Sequence, residues 1–360
     1  MRSDTQYDHN VVTNDCKLLA ERIDLDKFKN HKILIVGANG LIGGFLADFF
    51  VFLNNTYNCN IDLVLTSYSK KENASRIKHL TVDKNINYFS WDCSMPLNIE
   101  QKEYLSNVDD VYFCAGYGQP GKFLINTIKT TLINIVGVES ILSYLTKNKN
   151  NNINFLFLSS SEVYANPPLS CIPTPETYEG VTSRDNNRAC YIQSKKTGEL
   201  LCQLYNQYDN VNAKSARVAL TYGPGALRSD QRVMQNFIFK ASNGEINMLD
   251  EGKSIRNYLY ISDCVEMLIN ILYHGKHEVY NVGGDSEEIS ILDLANKISS
   301  ILNAKVKKPK MKSSSEKTLS APNKVALDIS KYREEFKHHG EKIIFLNKGL
   351  NNTIKWFKIN

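Results

Sequence analysis

The sequence lacks the residue spacings that build metal sites. Its eight cysteines (Cys16, Cys59, Cys93, Cys114, Cys171, Cys190, Cys202, Cys264) include no CxxC pair, and its seven histidines include no HExxH. Several of the cysteines lie in apolar runs and are expected to be reduced core thiols rather than disulfides or zinc ligands. The adjacent His338 and His339 read as a solvated patch, so no metal is expected. There is no internal repeat, and the polar N-terminus carries no signal-peptide core. The apolar stretch Phe45–Leu53 is broken by Asp48 and too short to span a bilayer. A cytoplasmic protein with no membrane partner is the expectation. A strong excess of one charge is missing too: the net charge is +5, and the lysines are spread out apart from a run near Lys305–Lys312. That favours an anionic small ligand over nucleic acid.

What is present suits a soluble enzyme. The 360 residues, 42% hydrophobic and 22% charged, are enough for one composite fold or two domains. The buried-type run Ile33-Leu34-Ile35-Val36 predicts a strand that enters Gly37-Ala38-Asn39-Gly40-Leu41-Ile42-Gly43-Gly44, followed at once by an amphipathic helix over Phe45–Leu53. Glycines at 37, 40 and 43 permit a tight strand-to-helix turn, and the helix N-terminus offers N–H groups to a pyrophosphate. Alone the trio would be a mere turn. Between strand and helix it points to dinucleotide binding by Gly37, Asn39, Gly40, Leu41, Ile42 and Gly43.

The next strand, Ile61–Leu65, would deliver an acid to the ribose of NAD. Its exit reads Thr66-Ser67-Tyr68-Ser69-Lys70-Lys71 instead, and Asp62 falls at its start. Ser67 and the lysines suit a 2′-phosphate, which tilts this loop towards NADP. Asp92, closing a short strand Tyr88–Trp91, is placed to meet an adenine amine. Cys114, Ala115 and Gly116, closing the strand Val108–Ala115, let the backbone lie beside a cofactor. A helix is expected over Asn126–Leu145.

The chemistry is expected between Phe155 and Lys195. The strand Phe155–Leu158 empties into Ser159-Ser160-Ser161-Glu162-Val163-Tyr164, and a proline-punctuated loop leads to a helix carrying Tyr191 and Lys195. Four residues apart, the two side chains share one helix face. A lysine ammonium beside a phenol is expected to lower the tyrosine pKa, so that it exchanges a proton near neutral pH. The alternative for such a pair is a solvated helix face.

Beyond a strand at Ser215–Leu220 the pattern turns mixed. A helix is expected near Met234–Ala241, and Asp263 as the cap of a helix running to Tyr273. A strand at Val279–Val282, a helix at Asp293–Leu302, a flexible connection over Lys305–Ser320 and a final helix at Leu350–Phe357 follow. The expected fold class is α/β, a Rossmann-type doubly wound parallel sheet with a smaller mixed α/β C-terminal substrate-binding region. The dinucleotide-binding part covers 31–220 and interleaves with a substrate-binding region over 221–360. Residues 1–30 form a helical extension, with helical periodicity over Val12–Ile23, that packs on the main domain or a partner subunit.

The glycine turn, Ser159–Tyr164, Tyr191 with Lys195, Thr221-Tyr222-Gly223-Pro224 and the Arg256 segment ending in Tyr260-Ile261-Ser262-Asp263 together resemble the extended short-chain dehydrogenase/reductase superfamily over about Lys32 to Phe357. Within it, Pro175–Tyr178, Arg188–Tyr191 and Arg232–Ile238 are most similar to the UDP-glucuronate decarboxylase branch. Leu220 stands where that branch usually has an asparagine. The resemblance implies bound NAD, a nucleotide-diphosphate sugar substrate, a 4-keto intermediate, a homodimer and a place in polysaccharide biosynthesis. It implies that Tyr191 removes the proton of a sugar C4 hydroxyl, with Ser160 and Ser161 orienting the oxygen and Lys195 holding the nicotinamide ribose. Glu162 would act at C5, and Gln119, Arg232, Asn236 and Arg256 would meet the substrate. A 4-epimerase, an NADPH-dependent 4-ketosugar reductase and a catalytically silent dinucleotide sensor are the other readings.

Overall fold

The computed structural model describes residues 7–81, 86–148, 152–208, 210–285, 287–309, 322–337 and 343–359. His338, His339 and most of the polar run after Lys305 lie outside the described residues. Seven strands pair into one sheet: β1 (Lys32–Val36), β2 (Asp62–Ser67), β3 (Asn87–Ser90), β4 (Asp110–Phe113), β5 (Ile153–Ser160), β6 (Val211–Val218) and β7 (Val279–Val282). Their spatial order is β7-β6-β5-β4-β1-β2-β3, and every pairing is parallel. Parallel strands covered on both faces read as near-continuous apolar stretches, which is the pattern of β1 and β5. The chain leaves β1 towards β2 on one side and returns with β4 on the other. The crevice between the C-terminal ends of β1 and β4 is therefore the switch point where such sheets take ligands.

Helices cover the two faces. On one, α1 (His9–Ala20), α2 (Leu41–Tyr57) and α6 (Ile261–His274) share a core with Ile33, Ile35 and Leu156; on the other, α3 (Thr127–Asn148) and α4 (Ala189–Tyr205) flank Phe113, Phe155 and Phe157. By length and composition α3, rather than the Phe45–Leu53 region, is the one helix among the described residues that could cross a membrane; half of its apolar window is buried in this fold. The C-terminal region adds α5 (Val233–Ser242), the final helix α7 (Leu346–Trp356) and three small sheets. One of these sets Ile255–Asn257 between Glu288–Ser290 and Lys324–Val325.

The N-terminal helix begins earlier than its periodicity suggested. The Asp8 side chain caps it by accepting the Asn10 N–H at 3.2 Å, and the helix starts at His9. Tyr7 stacks on Trp356 of α7 at 4.7 Å, and the Tyr260 hydroxyl donates to buried Asp15 at 2.6 Å. Burial pushes the Asp15 carboxyl up to about 6, against the pull of that hydrogen bond. Asp263, expected to cap α6, instead sits in its first turn behind the cap residue Tyr260. Its carboxylate accepts from Arg22 at 3.0 Å and from the Ile344 N–H at 2.9 Å. A long-range ion partner took the acid that local capping would have used.

Candidate active site

The glycine turn is as tight as its sequence requires. Gly37 has φ +84°, and a Cβ there would stand 2.7 Å from the Ala115 nitrogen; a Cβ on Gly43 would stand 2.6 Å from the Gly37 carbonyl oxygen. Both contacts are with backbone, which cannot step aside. The Gly37 and Ala38 N–H groups donate to the Thr66 carbonyl at 2.8 and 3.0 Å, which ties the end of β1 to β2. Helix α2 starts at Leu41 with no side chain capping it, so its N-terminal N–H groups face the crevice mouth. A bare backbone cradle at the N-terminus of a long helix fits the pyrophosphate of a dinucleotide. Leu41 and Ile42 are half-buried and packed on the apolar core.

The ribose and adenine end departs from the sequence reading in detail. Ser67, offered as a contact for a 2′-phosphate, is buried, and its hydroxyl is bonded to the Tyr88 hydroxyl at 2.8 Å. Asn39 accepts the Arg76 N–H at 2.8 Å, pinning the loop after β2 to the glycine turn instead of reaching outward. Asp62 is exposed at the far end of its strand. Asp92 accepts from the Ser94 hydroxyl at 2.6 Å and from Lys129 at 2.7 Å. Burial pushes its carboxyl upward, but Lys129 and Ser94 outweigh that and hold it below the usual carboxylate range. Lys129, which the sequence reading passed over, also lies 3.9 Å from the centre of the Tyr68 ring.

At the catalytic end, Tyr191 and Lys195 are one turn apart on α4 and both are buried. Their partners do not match the expected pairing. The Lys195 ammonium donates to the Leu158 carbonyl at 2.6 Å, and Gly116 stands opposite, its hypothetical Cβ 3.6 Å from Nζ. Burial pulls Lys195 down to about 7. Burial likewise pushes the Tyr191 phenol up to about 12, opposed by its hydrogen bond with Ser160 and then by Arg188 and Arg232. The lowering of the phenol by Lys195 expected from their spacing is thus absent from this structure. The lysine lies 5.8 Å from the Tyr191 ring centre, and desolvation dominates both groups.

Around this pair the strand end divides its labour. Ser160 bonds the phenol and accepts the Glu162 N–H at 3.3 Å. Ser161 and Glu162 line a cleft with Thr174, Lys324 and Leu327. Ser159 donates to Glu199, which forks Arg217 at 2.8 to 3.2 Å. Arg217 donates in turn to Tyr164 at 3.0 Å, and Tyr164 to Asn281 at 2.6 Å. This buried chain fastens α4 to β5 and β7.

Of the residues assigned to the substrate, Arg256 is half-buried, its guanidinium bonded to the Ile255 carbonyl at 2.8 Å; burial holds it below its ordinary value. Arg232 is engaged with both oxygens of Asp230 at 2.6 to 3.1 Å. Gln119 accepts from the Gln231 N–H at 3.5 Å, and Asn236 lies half-buried one turn after Arg232 on α5. Arg188, which the sequence marked only as part of the Arg188–Tyr191 resemblance and assigned no role, forks Glu162 at 2.8 and 2.5 Å. Its sequence signal was that segment, in which it stands three residues before Tyr191.

Known proteins share the sequence pattern and the fold. The profile of the NAD dependent epimerase/dehydratase family matches residues 33–283. UDP-glucuronic acid decarboxylase 1 of Danio rerio is 29% identical over 334 residues, covering 92% of this chain and 74% of its own length. UDP-glucuronic acid decarboxylase 3 of Arabidopsis thaliana is 29% identical over 306 residues, covering 85% of this chain and 83% of its own. The fold matches that of UDP-glucuronic acid 4-epimerase from Bacillus cereus in complex with NAD, with a TM-score of 0.70, 22% identity and coverage of 91% of this chain and 96% of that one. A glycine cradle at the switch point, with a buried tyrosine and lysine beside it, thus lies inside a match spanning most of the sheet: the chain belongs to the NAD dependent epimerase/dehydratase family and is an enzyme whose cofactor is NAD.

Proposed function

We propose that the chain oxidises the C4 hydroxyl of a nucleotide sugar, works on the resulting 4-ketone, and returns the hydride, most specifically as a UDP-glucuronate decarboxylase. The carrying observation is the Glu162 carboxylate beside the Ser160–Tyr191 hydrogen bond, with Arg188, Arg232 and Arg256 around it. Glu162 and Asp230 answer two of these three guanidinium groups, which leaves a positive charge for an anionic substrate. The names of the relatives support the decarboxylase version.

Bound NAD supplies a hydride acceptor and gives the hydride back at the end of the cycle. The residues that would hold it are the glycine turn, Asp92, the Cys114–Gly116 backbone and Lys195. Acting as its phenolate, which the positive charge of bound NAD would favour against the burial that raises the phenol, Tyr191 takes the proton of the C4 hydroxyl, and Ser160 holds the oxygen. With C4 a ketone, the C6 carboxylate is a β-keto acid. The C5–C6 bond breaks, its electron pair moves into the C4 oxygen as an enolate, and CO₂ leaves. A proton delivered at C5 from the Glu162 side restores the ketone, and Tyr191 returns its proton as C4 is reduced.

Incubation with UDP-glucuronate, followed by mass and NMR, tests the reading. A product lighter by the mass of CO₂ is expected. A C4 epimer of unchanged mass would replace the decarboxylase with a 4-epimerase. Unchanged substrate, with consumption of NADPH on a 4-ketosugar, would replace both with a reductase. A homodimer through α3 and α4 belongs to the same proposal, supported by exposed Ile128, Leu132, Leu200 and Leu204; sedimentation of the purified chain tests it. A cytoplasmic setting and a role in polysaccharide biosynthesis complete it, the former supported by eight free thiols.

A further inference from the structure

We propose that Arg188 is a positioning residue, aiming Glu162 at the carbon next to the one Tyr191 serves and keeping the two in register through Phe123. The inference deepens the reading above and rests on it for the identity of the reaction.

Arg188 occupies the residue just before α4, where its carbonyl accepts the N–H groups of Tyr191 and Ile192 at 3.1 Å each. Its own N–H donates to the Asn186 side chain at 2.8 Å, which fixes the turn. From there the guanidinium donates through Nε to Glu162 Oε2 at 2.8 Å and through Nη2 to Oε1 at 2.5 Å. Two parallel bonds set the plane of the carboxylate as well as its position, which an ammonium cannot do. Arg232 and Arg256 spend their donors elsewhere, on Asp230 and on backbone carbonyls.

The same guanidinium lies 5.2 Å from the ring centre of Phe123. That ring is buried and stacks on Tyr191, centroids 4.6 Å apart and planes 9° from parallel. Carboxylate, guanidinium, phenyl and phenol therefore form one packed series in which each plane locates the next. The phenol moves the proton on the C4 oxygen. The carboxyl group moves the proton at C5 when the enolate pair returns from oxygen to carbon. Loss of the fork leaves Glu162 on a short side chain free to turn, and a displacement of about 1 Å at a reacting group costs about a hundredfold in rate.

The test separates the two halves of the cycle in Arg188→Gln, Arg188→Lys and Arg188→Ala, with UDP-glucuronate as substrate. Absorbance of the reduced nicotinamide reads C4 oxidation, and mass reads product. For Arg188→Gln, C4 oxidation within about threefold of wild type and product formation slowed about a hundredfold are expected, so that the reduced nicotinamide and the decarboxylated enol, awaiting its proton at C5, accumulate. Arg188→Lys should recover only part of the loss. Free guanidinium should rescue Arg188→Ala where urea, of similar shape without charge, does not. An equal fall in both halves, equal rescue by urea, or an Arg188→Lys enzyme like wild type overturns the proposal. If wild type oxidises no nucleotide sugar, the functional reading fails on its own account. Crystal structures of the Gln and Lys variants then decide: a Glu162 carboxylate turned from its place supports the role of Arg188, and one left in place refutes it.

Discussion

Lys195→Met should make the protein more stable and inactive, and the gain should shrink as pH rises. Burial takes the ammonium from 10.5 to about 7, so the folded state binds fewer protons than the unfolded chain throughout that window. The sign follows. Above the unfolded value the lysine is neutral in both states and carries no penalty; as pH falls towards the folded value the penalty grows, and below it the penalty is full. Linkage puts it at about 4 kcal/mol near pH 7 and about 2 kcal/mol near pH 9. Methionine keeps the apolar stem but forfeits the bond to the Leu158 carbonyl, about 1 kcal/mol. The variant should therefore exceed wild type by about 3 kcal/mol near pH 7 and about 1 kcal/mol near pH 9. Urea unfolding of both proteins, freed of dinucleotide, at the two pH values reads the difference, since all other titrations cancel. A difference independent of pH, or a variant less stable near neutrality, refutes the argument that desolvation dominates this lysine.

Tyr191→Phe should retain NAD and lose about 10²- to 10⁴-fold in product formation, checked by turnover and by the nucleotide released on denaturation. Gly43→Ala should weaken dinucleotide binding about tenfold or more, because the added methyl meets the Gly37 carbonyl oxygen at 2.6 Å; NADH fluorescence titration measures it. Asp15→Asn tests the opposite ionic case. Burial raises that carboxyl from 3.8 to about 6, so wild-type stability falls as pH climbs through that interval, by up to about 3 kcal/mol. The variant should match wild type near about pH 4 and surpass it near about pH 7.5 in urea midpoint.

The sheet was legible because its strands are local patterns. The expected runs fall on all seven main strands, although β6 starts at Val211 rather than Ser215 because Asn212 and Lys214 break its apolar pattern. The Gly37–Gly43 turn announces the switch point by its place between strand and helix. Tyr191 and Lys195 were legible because helical spacing places them on one face. What escaped notice depends on contacts between distant segments. The fork from Arg188 to Glu162 spans 26 positions, and Arg22 reaches Asp263 across 241. The direction of the tyrosine shift escaped for another reason: spacing conveys neighbours but not the water they have lost. Ser67 shows the same limit, since a hydroxyl in a loop gives no sign of whether it faces a ligand or Tyr88.

The buried chain from Ser159 through Glu199 and Arg217 to Tyr164 and Asn281 has an evolutionary consequence. It welds the machinery that handles protons to the rigid frame and carries the cleft loop at Thr174 and Glu176 with it, while the Arg232 and Arg256 segments are fastened by Asp230 and by backbone carbonyls. Descendants of such a scaffold can exchange one sugar for another by rewriting the Arg232 and Arg256 segments, with little detuning of the tyrosine they inherit.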